Sequence, residues 1–141
     1  MKVMEIPQEG LPQELLTGND VIDEQHREFF ARLNMFYNDK ENFMSDKKEM
    51  LIYLAYAEIY TMEHFFYEED LMEEKNYPKI ENHRRAHRSL YKKVEDFRKS
   101  VEKTELTFEK ICEFYDMSLY WLKSDIRNHD MKLAEFLNRL C

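Results

Sequence analysis

Histidines and acidic residues at helical spacing are the features of this sequence that could carry chemistry. His64 precedes Glu68 by four residues, and His83 precedes His87 by four residues. Residues four apart lie on the same face of an α-helix, so each pair presents two potential metal ligands in one direction. Two imidazoles one turn apart can chelate one ion, and a carboxylate beside an imidazole can bridge to a second ion. Both pairs are therefore candidate metal ligands.

Three further candidates, His26, Asp125 and Asp130, lie in other segments, so that every predicted helix carries at least one ligand-type residue. His26 follows Ile22 by one helical turn and His64 precedes Phe65, which places both imidazoles beside apolar residues. An inward imidazole or carboxylate is unfavourable unless it is paired or coordinated. The alternative, a purely structural bundle whose histidines are exposed or hydrogen-bonded, stays open at this point.

The donor types narrow the kind of metal site. No histidine has a glutamate three residues before it, which disfavours the Glu-x-x-His pattern of ferritin-like di-iron proteins. Cys112 and Cys141 have no metal-ligand spacing and could form one disulfide at most, which disfavours structural zinc. The oxygen and nitrogen donors are enough for two ions, and they are His26, His64, Glu68, His83, His87, Asp125 and Asp130.

The elements that must position these residues are predicted to be four helices. Apolar periodicity and N-cap residues place them at about 20–38, 46–74, 79–101 and from 104 or 107 to the last residues. Asn76-Tyr77-Pro78 is expected to end the second helix, because the residue before a proline avoids helical geometry. Short connections favour an all-α, up-down-up-down four-helix bundle. Residues 1–18 are expected to form an irregular N-terminal arm, followed by a single domain over 19–141.

Composition excludes several classes of protein. The 141 residues contain only 2 Gly and 3 Pro, too few for the turns of a β-sandwich or barrel. The net charge of −8 makes nucleic acid and anionic membrane surfaces poor partners. The basic cluster of Arg84, Arg85 and Arg88 is interpreted as a solvated helix face rather than a phosphate site, because acidic residues surround it. With no secretory signal pattern and no long apolar run, we expect a cytoplasmic protein.

An ordered set of motifs now becomes recognisable. It consists of Leu16-Thr17-Gly18, Ile22-Asp23-Glu24-Gln25-His26, His64-Phe65-x-x-Glu68-Glu69-x-Leu71-Met72, Tyr77-Pro78, His83-x-x-x-His87 and Trp121-Leu122-x-x-Asp125-Ile126-x-x-x-Asp130. Over about residues 16–133 the chain resembles the bacterial hemerythrins. The resemblance implies a four-helix bundle with two iron ions in an oxo- or hydroxo-bridged, non-haem centre. It also implies that Glu68 and Asp130 bridge the ions, that His26 and His64 bind one iron, and that His83 and His87 bind the other.

One position departs from the family pattern, because the family places a histidine ligand where this chain has Asp125. A carboxylate can bind iron, but it adds a negative charge that favours the ferric state. Reversible oxygen binding is then expected to be harder to sustain. His129 lies one helical turn beyond Asp125, and we expect it to be exposed or hydrogen-bonded rather than a ligand.

The resemblance therefore implies a non-haem di-iron protein that binds O₂ for storage, delivery or sensing. The alternative is a di-iron oxidase or peroxidase-type enzyme favoured by Asp125, and the sequence does not decide between the two. A third reading, a binding module whose metals are structural or absent, would be separated from both by metal analysis.

Overall fold

The computed structural model describes residues 11–140 and is helical over almost all of that range. Its elements are a short 3-10 turn, six α-helices and one π-helical turn. The 3-10 turn is Gln13–Leu15, and the helices are α1 (Asp20–Asn38), α2 (Lys40–Ser45), α3 (Lys47–Glu74), α4 (Ile80–Lys103), α5 (Phe108–Asp125) and α6 (Met131–Arg139), with the π-helical turn Ile126–Asp130 between the last two. No strand occurs between residues 11 and 140, so the predicted all-α class is confirmed.

Capping side chains explain where the first long helices begin. The side chain of Asn19 accepts a hydrogen bond from the Ile22 amide at 3.0 Å, as expected from its position before the first apolar repeat. The side chain of Asp46 accepts from the amides of Lys48 and Glu49 at 3.1 and 3.3 Å. These bonds satisfy amides that have no partner inside the helix.

The end of α3 also follows the prediction. The helix stops at Glu74, and Asn76 adopts a left-handed backbone conformation with φ of 54° two residues before Pro78. Asparagine tolerates this region better than most residues do. The 28 residues of α3 therefore end where the sequence indicated.

Two sequence predictions were wrong in detail. The polar connection expected after residue 38 contains a short helix, α2, which has no buried residue. The fourth helix, expected to be continuous, is interrupted by the π-helical turn Ile126–Asp130 before it resumes as α6. Most of the expected arm, residues 1–10, and Cys141 lie outside the described residues. Within the arm, Leu15 is fully buried.

The chain divides into two compact units. Unit 1 consists of Met1–Lys40 with Cys112–Cys141. In it, Phe36 near the end of α1 contacts Phe114 near the start of α5, with ring centroids 5.6 Å apart. At the other end of the same pair, His26 contacts Asp130. Helix α1 therefore runs antiparallel to the α5–α6 segment. The fully buried side chains of unit 1 include Ile22, Phe30, Phe36, Ile126 and Leu133.

Unit 2 consists of Glu41–Ile111 and is built on an antiparallel hairpin of α3 and α4. At one end, Lys47 Nζ donates to the carbonyl of Thr104 at 3.1 Å, and at mid-length Arg98 pairs with Glu58 at 2.8 Å. Glu69 meets His87 nearer the other end. Its buried apolar side chains include Met50, Leu54, Met72, Val94 and Val101. No helix within residues 11–140 combines the length and the apolar character needed to cross a membrane.

Candidate metal centre

In unit 2 three imidazoles converge on one carboxylate oxygen. The Nε2 atoms of His64 and His83 both lie 3.3 Å from Glu68 Oε1, and Nε2 of His87 lies 3.0 Å from the same atom. All four side chains are buried, and Glu68 has no exposed surface. The four-residue spacings on α3 and α4 place each pair on one face, and the antiparallel hairpin brings the two faces together. The structure therefore brings these four of the predicted ligand residues together.

Packing fixes the orientation of the rings. The Phe65 ring stacks on His87 with centroids 3.8 Å apart and planes 9° from parallel. His83 and His87 meet edge to face at 4.5 Å. Because a ligand must be held close to its working geometry, these contacts orient the nitrogens before any cation binds.

Glu69 contacts the opposite side of His87 and was missed by the sequence reasoning. Its Oε2 atom lies 3.0 Å from Nδ1 of His87. Nε2 of the same ring lies 3.0 Å from Glu68, so both ring nitrogens face a carboxylate. With a cation on Nε2, the ring proton would sit on Nδ1 and be donated to Glu69. The signal was present in the sequence as the second half of the Glu68-Glu69 pair, but its partner lies on another helix.

Glu69 is itself held by Arg84, whose Nε donates to Glu69 Oε1 at 3.3 Å. Arg84 also donates to Glu81 at 2.8 Å and forms an ion pair with Glu73. These hydrogen bonds, first to Glu81 and then to Glu73, raise the pKa of Arg84 above its ordinary value. The guanidinium therefore stays charged and keeps the Glu69 carboxylate in place beside His87.

In unit 1 a second imidazole and a carboxylate form a buried pair. Nε2 of His26 lies 2.7 Å from Oδ2 of Asp130, and the exposed fractions of the two residues are 0% and 1%. Asp125 is also buried, with 7% exposure, at the last residue of α5. Among the described residues, Asp125 is not one of those whose ligand atoms cluster within 4.8 Å of one another. The predicted role of Asp125 as a ligand therefore remains a prediction.

The π-helical turn decides how Asp125 and Asp130 are related. In a regular α-helix, residues five apart point about 140° away from each other, because each residue adds about 100°. Here the Met131 amide bonds to the Ile126 carbonyl, the five-residue pattern of a π-helix. A five-residue turn places the ends of the interval one above the other, so Asp125 and Asp130 share a face. His129 precedes Asp130 within the turn and is half-buried.

Asp23, another buried acid, joins the N-terminal arm to α1. Its Oδ1 atom accepts from the amide and the hydroxyl of Thr17 at 2.9 and 2.8 Å, and Oδ2 accepts from the Gly18 amide at 3.2 Å. Gly18 has a φ of 87°, a conformation that glycine adopts without strain. Asp23 therefore fixes the chain just before the helix that carries His26.

The donors in each unit suit a hard or borderline cation. Neutral imidazoles and carboxylates are the ligands that iron, manganese and zinc accept, and thiolates are absent from the set. In unit 2 three imidazoles surround one buried carboxylate. Their Nε2 lone pairs and the carboxylate oxygens can together coordinate a cation. The residues present therefore fit a bound metal ion.

Comparison with known proteins agrees with this donor set. The model of the family described as the hemerythrin HHE cation binding domain matches residues 17–137. A bacteriohemerythrin of Stenotrophomonas maltophilia is 33% identical over 122 residues, which cover 86% of this chain and 76% of the relative. One of Clostridium acetobutylicum is 32% identical over 121 residues, covering 84% and 92%. One of Pseudomonas aeruginosa is 29% identical over 119 residues, covering 83% and 73%.

Proposed function

Since the chain belongs to the hemerythrin HHE cation-binding family, we propose that it is a non-haem di-iron protein that binds O₂. The observation that supports this best is the convergence of three buried imidazoles on the one carboxylate oxygen of Glu68. A buried carboxylate is costly unless it is paired or coordinated, and the matching family is described as a cation binding domain.

We propose the following ligands by matching the motifs of this chain to the family pattern. His26 and His64 would hold one iron, and His83, His87 and Asp125 would hold the other. The carboxylates of Glu68 and Asp130 would be shared by the two ions. When bound, the two iron ions supply an open coordination position and the two electrons that O₂ takes up.

The remaining residues prepare the site. Glu69 would accept the Nδ1 proton of His87 when Nε2 binds a metal ion, and Arg84 holds Glu69. Phe65 covers one face of the same imidazole and excludes water from it. Burial of the ligands limits the escape of reactive oxygen species and the loss of metal to solvent.

Asp125 supports a second candidate function. It is a buried carboxylate where the family pattern has a neutral imidazole, and a negative ligand stabilises the ferric state. An oxidase or peroxidase-type enzyme would use that bias to turn over, whereas an O₂ carrier or store would be limited by it. We also propose that residues 19–141 act as one domain and that the protein works in the cytoplasm.

The two candidate functions are separated by adding air to the reduced, iron-loaded protein. A visible absorption band that persists and disappears under vacuum supports O₂ binding. Direct decay to the oxidised spectrum, with continued consumption of added reductant, supports the enzyme. No spectral response to air in protein that contains iron would contradict both.

Asp125→His tests the proposed role of Asp125, the residue that differs from the family pattern. Restoring a neutral imidazole removes about one unit of negative charge, so the oxygenated form should live severalfold longer than in the unmodified protein. The comparison requires equal iron content and similar melting temperatures, because the larger side chain enters a packed interior. An unchanged lifetime at equal iron content would show that Asp125 does not set the redox balance.

A further inference from the structure

A pocket of about 400 Å³ opens on unit 2 beside the candidate ligand His87. Its walls come only from α3 and α4. The apolar part is formed by Met62, Phe65, Phe66 and Tyr91, and the polar part by Glu69, His87 and Arg88. Ligand pockets commonly have volumes from about 300 to 1,000 Å³ with apolar walls and a few polar groups, and this one fits that description. A pocket of this volume has room for a molecule of two fused rings.

The two charged side chains of the pocket, Glu69 and Arg88, differ in whether they already have a charged partner. The carboxylate of Glu69 is already engaged, by Arg84 at 3.3 Å and by His87 at 3.0 Å. Arg88 is exposed, and no carboxylate within residues 11–140 forms an ion pair with it. The pocket therefore offers one uncompensated positive charge, in a chain whose net charge is −8. Because the surrounding charge is negative, a small monoanion is favoured over a polyanion.

Arg88 also differs from the two other arginines of its cluster. Arg84 is held by Glu69, Glu73 and Glu81, and Arg85 donates to the side chain of Asn82. The three residues thus do not act together on a phosphate, which agrees with the interpretation made from the sequence. Of the three, Arg88 is the one that lines the pocket.

The aromatic walls indicate the shape of that ligand. Phe66 is a large apolar side chain that is 56% exposed, and Tyr91 is half-buried on the adjacent helix. Aromatic rings favour offset or edge contacts with other rings, and the flexible Met62 side chain can adapt to a flat surface. An anionic group on the same molecule would form a charge-assisted hydrogen bond with the Arg88 guanidinium.

We propose that this pocket is a binding site for a flat aromatic monoanion, with its rings against Phe66 and Tyr91 and its anionic group on Arg88. The site is separate from the donors that face Glu68, although His87 contributes to both. The proposal stands whether or not the protein binds O₂, because it depends only on the residues that line the pocket.

The test uses naphthalene-2-sulfonate as the probe and isothermal titration calorimetry of the purified chain. Saturable binding is expected, and the neutral analogue naphthalene-2-methanol and the non-aromatic anion cyclohexanesulfonate should both bind more weakly. Arg88→Gln should weaken sulfonate binding about fivefold, the effect of an exposed charge pair. Phe66→Ala should weaken it about tenfold, because it removes an aromatic wall.

Matched controls use residues outside the pocket. Arg85→Gln removes a charge one turn away on α4, and Tyr56→Ala removes an aromatic ring that is 64% exposed on α3. Both should leave the affinity unchanged. Equal binding of the anion and the neutral alcohol, equal losses in the controls, or no saturable binding in the millimolar range would overturn the proposal.

A second measurement distinguishes this proposal from the proposed function. A bound ring would contact His87, so the visible absorption of iron-loaded protein should shift with the same saturation curve as the calorimetric signal. This readout depends on the di-iron proposal, whereas the calorimetry does not. Binding without a spectral shift in iron-loaded protein would count against contact between the bound ring and His87, and so against this placement of the ligand.

Discussion

The two units place their candidate ligands by different helical geometries. In unit 2, His64 with Glu68 and His83 with His87 are four residues apart on regular α-helices. In unit 1, Asp125 and Asp130 are five residues apart and share a face because the turn between them is π-helical. The difference shows that the spacing of two ligands indicates a shared helix face only when the local helix type is known.

Single-residue deletions should affect the two units very differently. Deleting the exposed Phe66 from α3 leaves His64 and Glu68 three residues apart and rotates one part of the helix by about 100° relative to the other. The buried face of α3 would no longer be continuous, so we expect a loss of at least about 3 kcal/mol of stability. Most of the bound iron should be lost as well. Thermal unfolding and iron analysis measure both effects.

Deleting the exposed Asn128 from the π-helical turn should be tolerated. The deletion converts the five-residue turn into a regular α-helical turn and leaves Asp125 and Asp130 four residues apart, still on one face. The melting temperature should be unchanged or higher, and most of the iron should be retained. Asn128→Ala is the control, because it removes the same side chain without shortening the helix. A collapse of stability in the deletion variant alone would contradict this account of the turn.

Neutralising each of the two proposed bridging carboxylates should show which unit contributes more to iron binding. Glu68 lies against three imidazoles, whereas Asp130 lies 2.7 Å from His26. Both Glu68→Gln and Asp130→Asn keep the size of the side chain, and both should reduce iron content. We expect the greater loss in Glu68→Gln, because the ligands of unit 2 are organised around that one oxygen. The reverse order, measured as iron per chain, would make unit 1 the dominant site.

A smaller effect is expected for Glu69→Gln. The substitution keeps a hydrogen-bond acceptor near Nδ1 of His87 but removes the negative charge that makes this imidazole a better ligand. Loss of such a supporting carboxylate typically lowers metal affinity about 10- to 100-fold. Competition with a chelator measures the affinity, and Glu81→Gln, which changes another carboxylate bound to Arg84, is the control. Equal metal affinities in the two variants would show that Glu69 does not support His87 as a ligand.

The regular part of the fold could be predicted from the sequence. The limits of α1 and α3 followed from Asn19, from the apolar repeat that begins after Ser45 and from the Asn76-Tyr77-Pro78 segment, because caps and prolines act locally on the backbone. The same reasoning identified the four ligand-type residues that meet in unit 2. Four-residue spacing on a helix needs no knowledge of the tertiary structure.

The remaining features depend on contacts that no local pattern contains. The π-helical turn was missed because Ile126–Asp130 contains one apolar residue, too few to show a change in helical period. Glu69 was missed because its partners, His87 and Arg84, lie on another helix. Helix α2 was missed because it buries nothing and so has no apolar repeat.

Iron analysis of the purified protein is the most direct test of the central claim. The chain should be produced with iron in the medium, purified without added metal, and compared with Glu68→Gln and with His129→Ala, whose histidine is not among the proposed ligands. The account predicts about two iron ions per chain in the unmodified protein and in His129→Ala, since imidazoles and carboxylates in this number suit two ions. Iron should be largely absent from Glu68→Gln. An unmodified protein that purifies without iron, or a Glu68→Gln variant that keeps both ions, would contradict it.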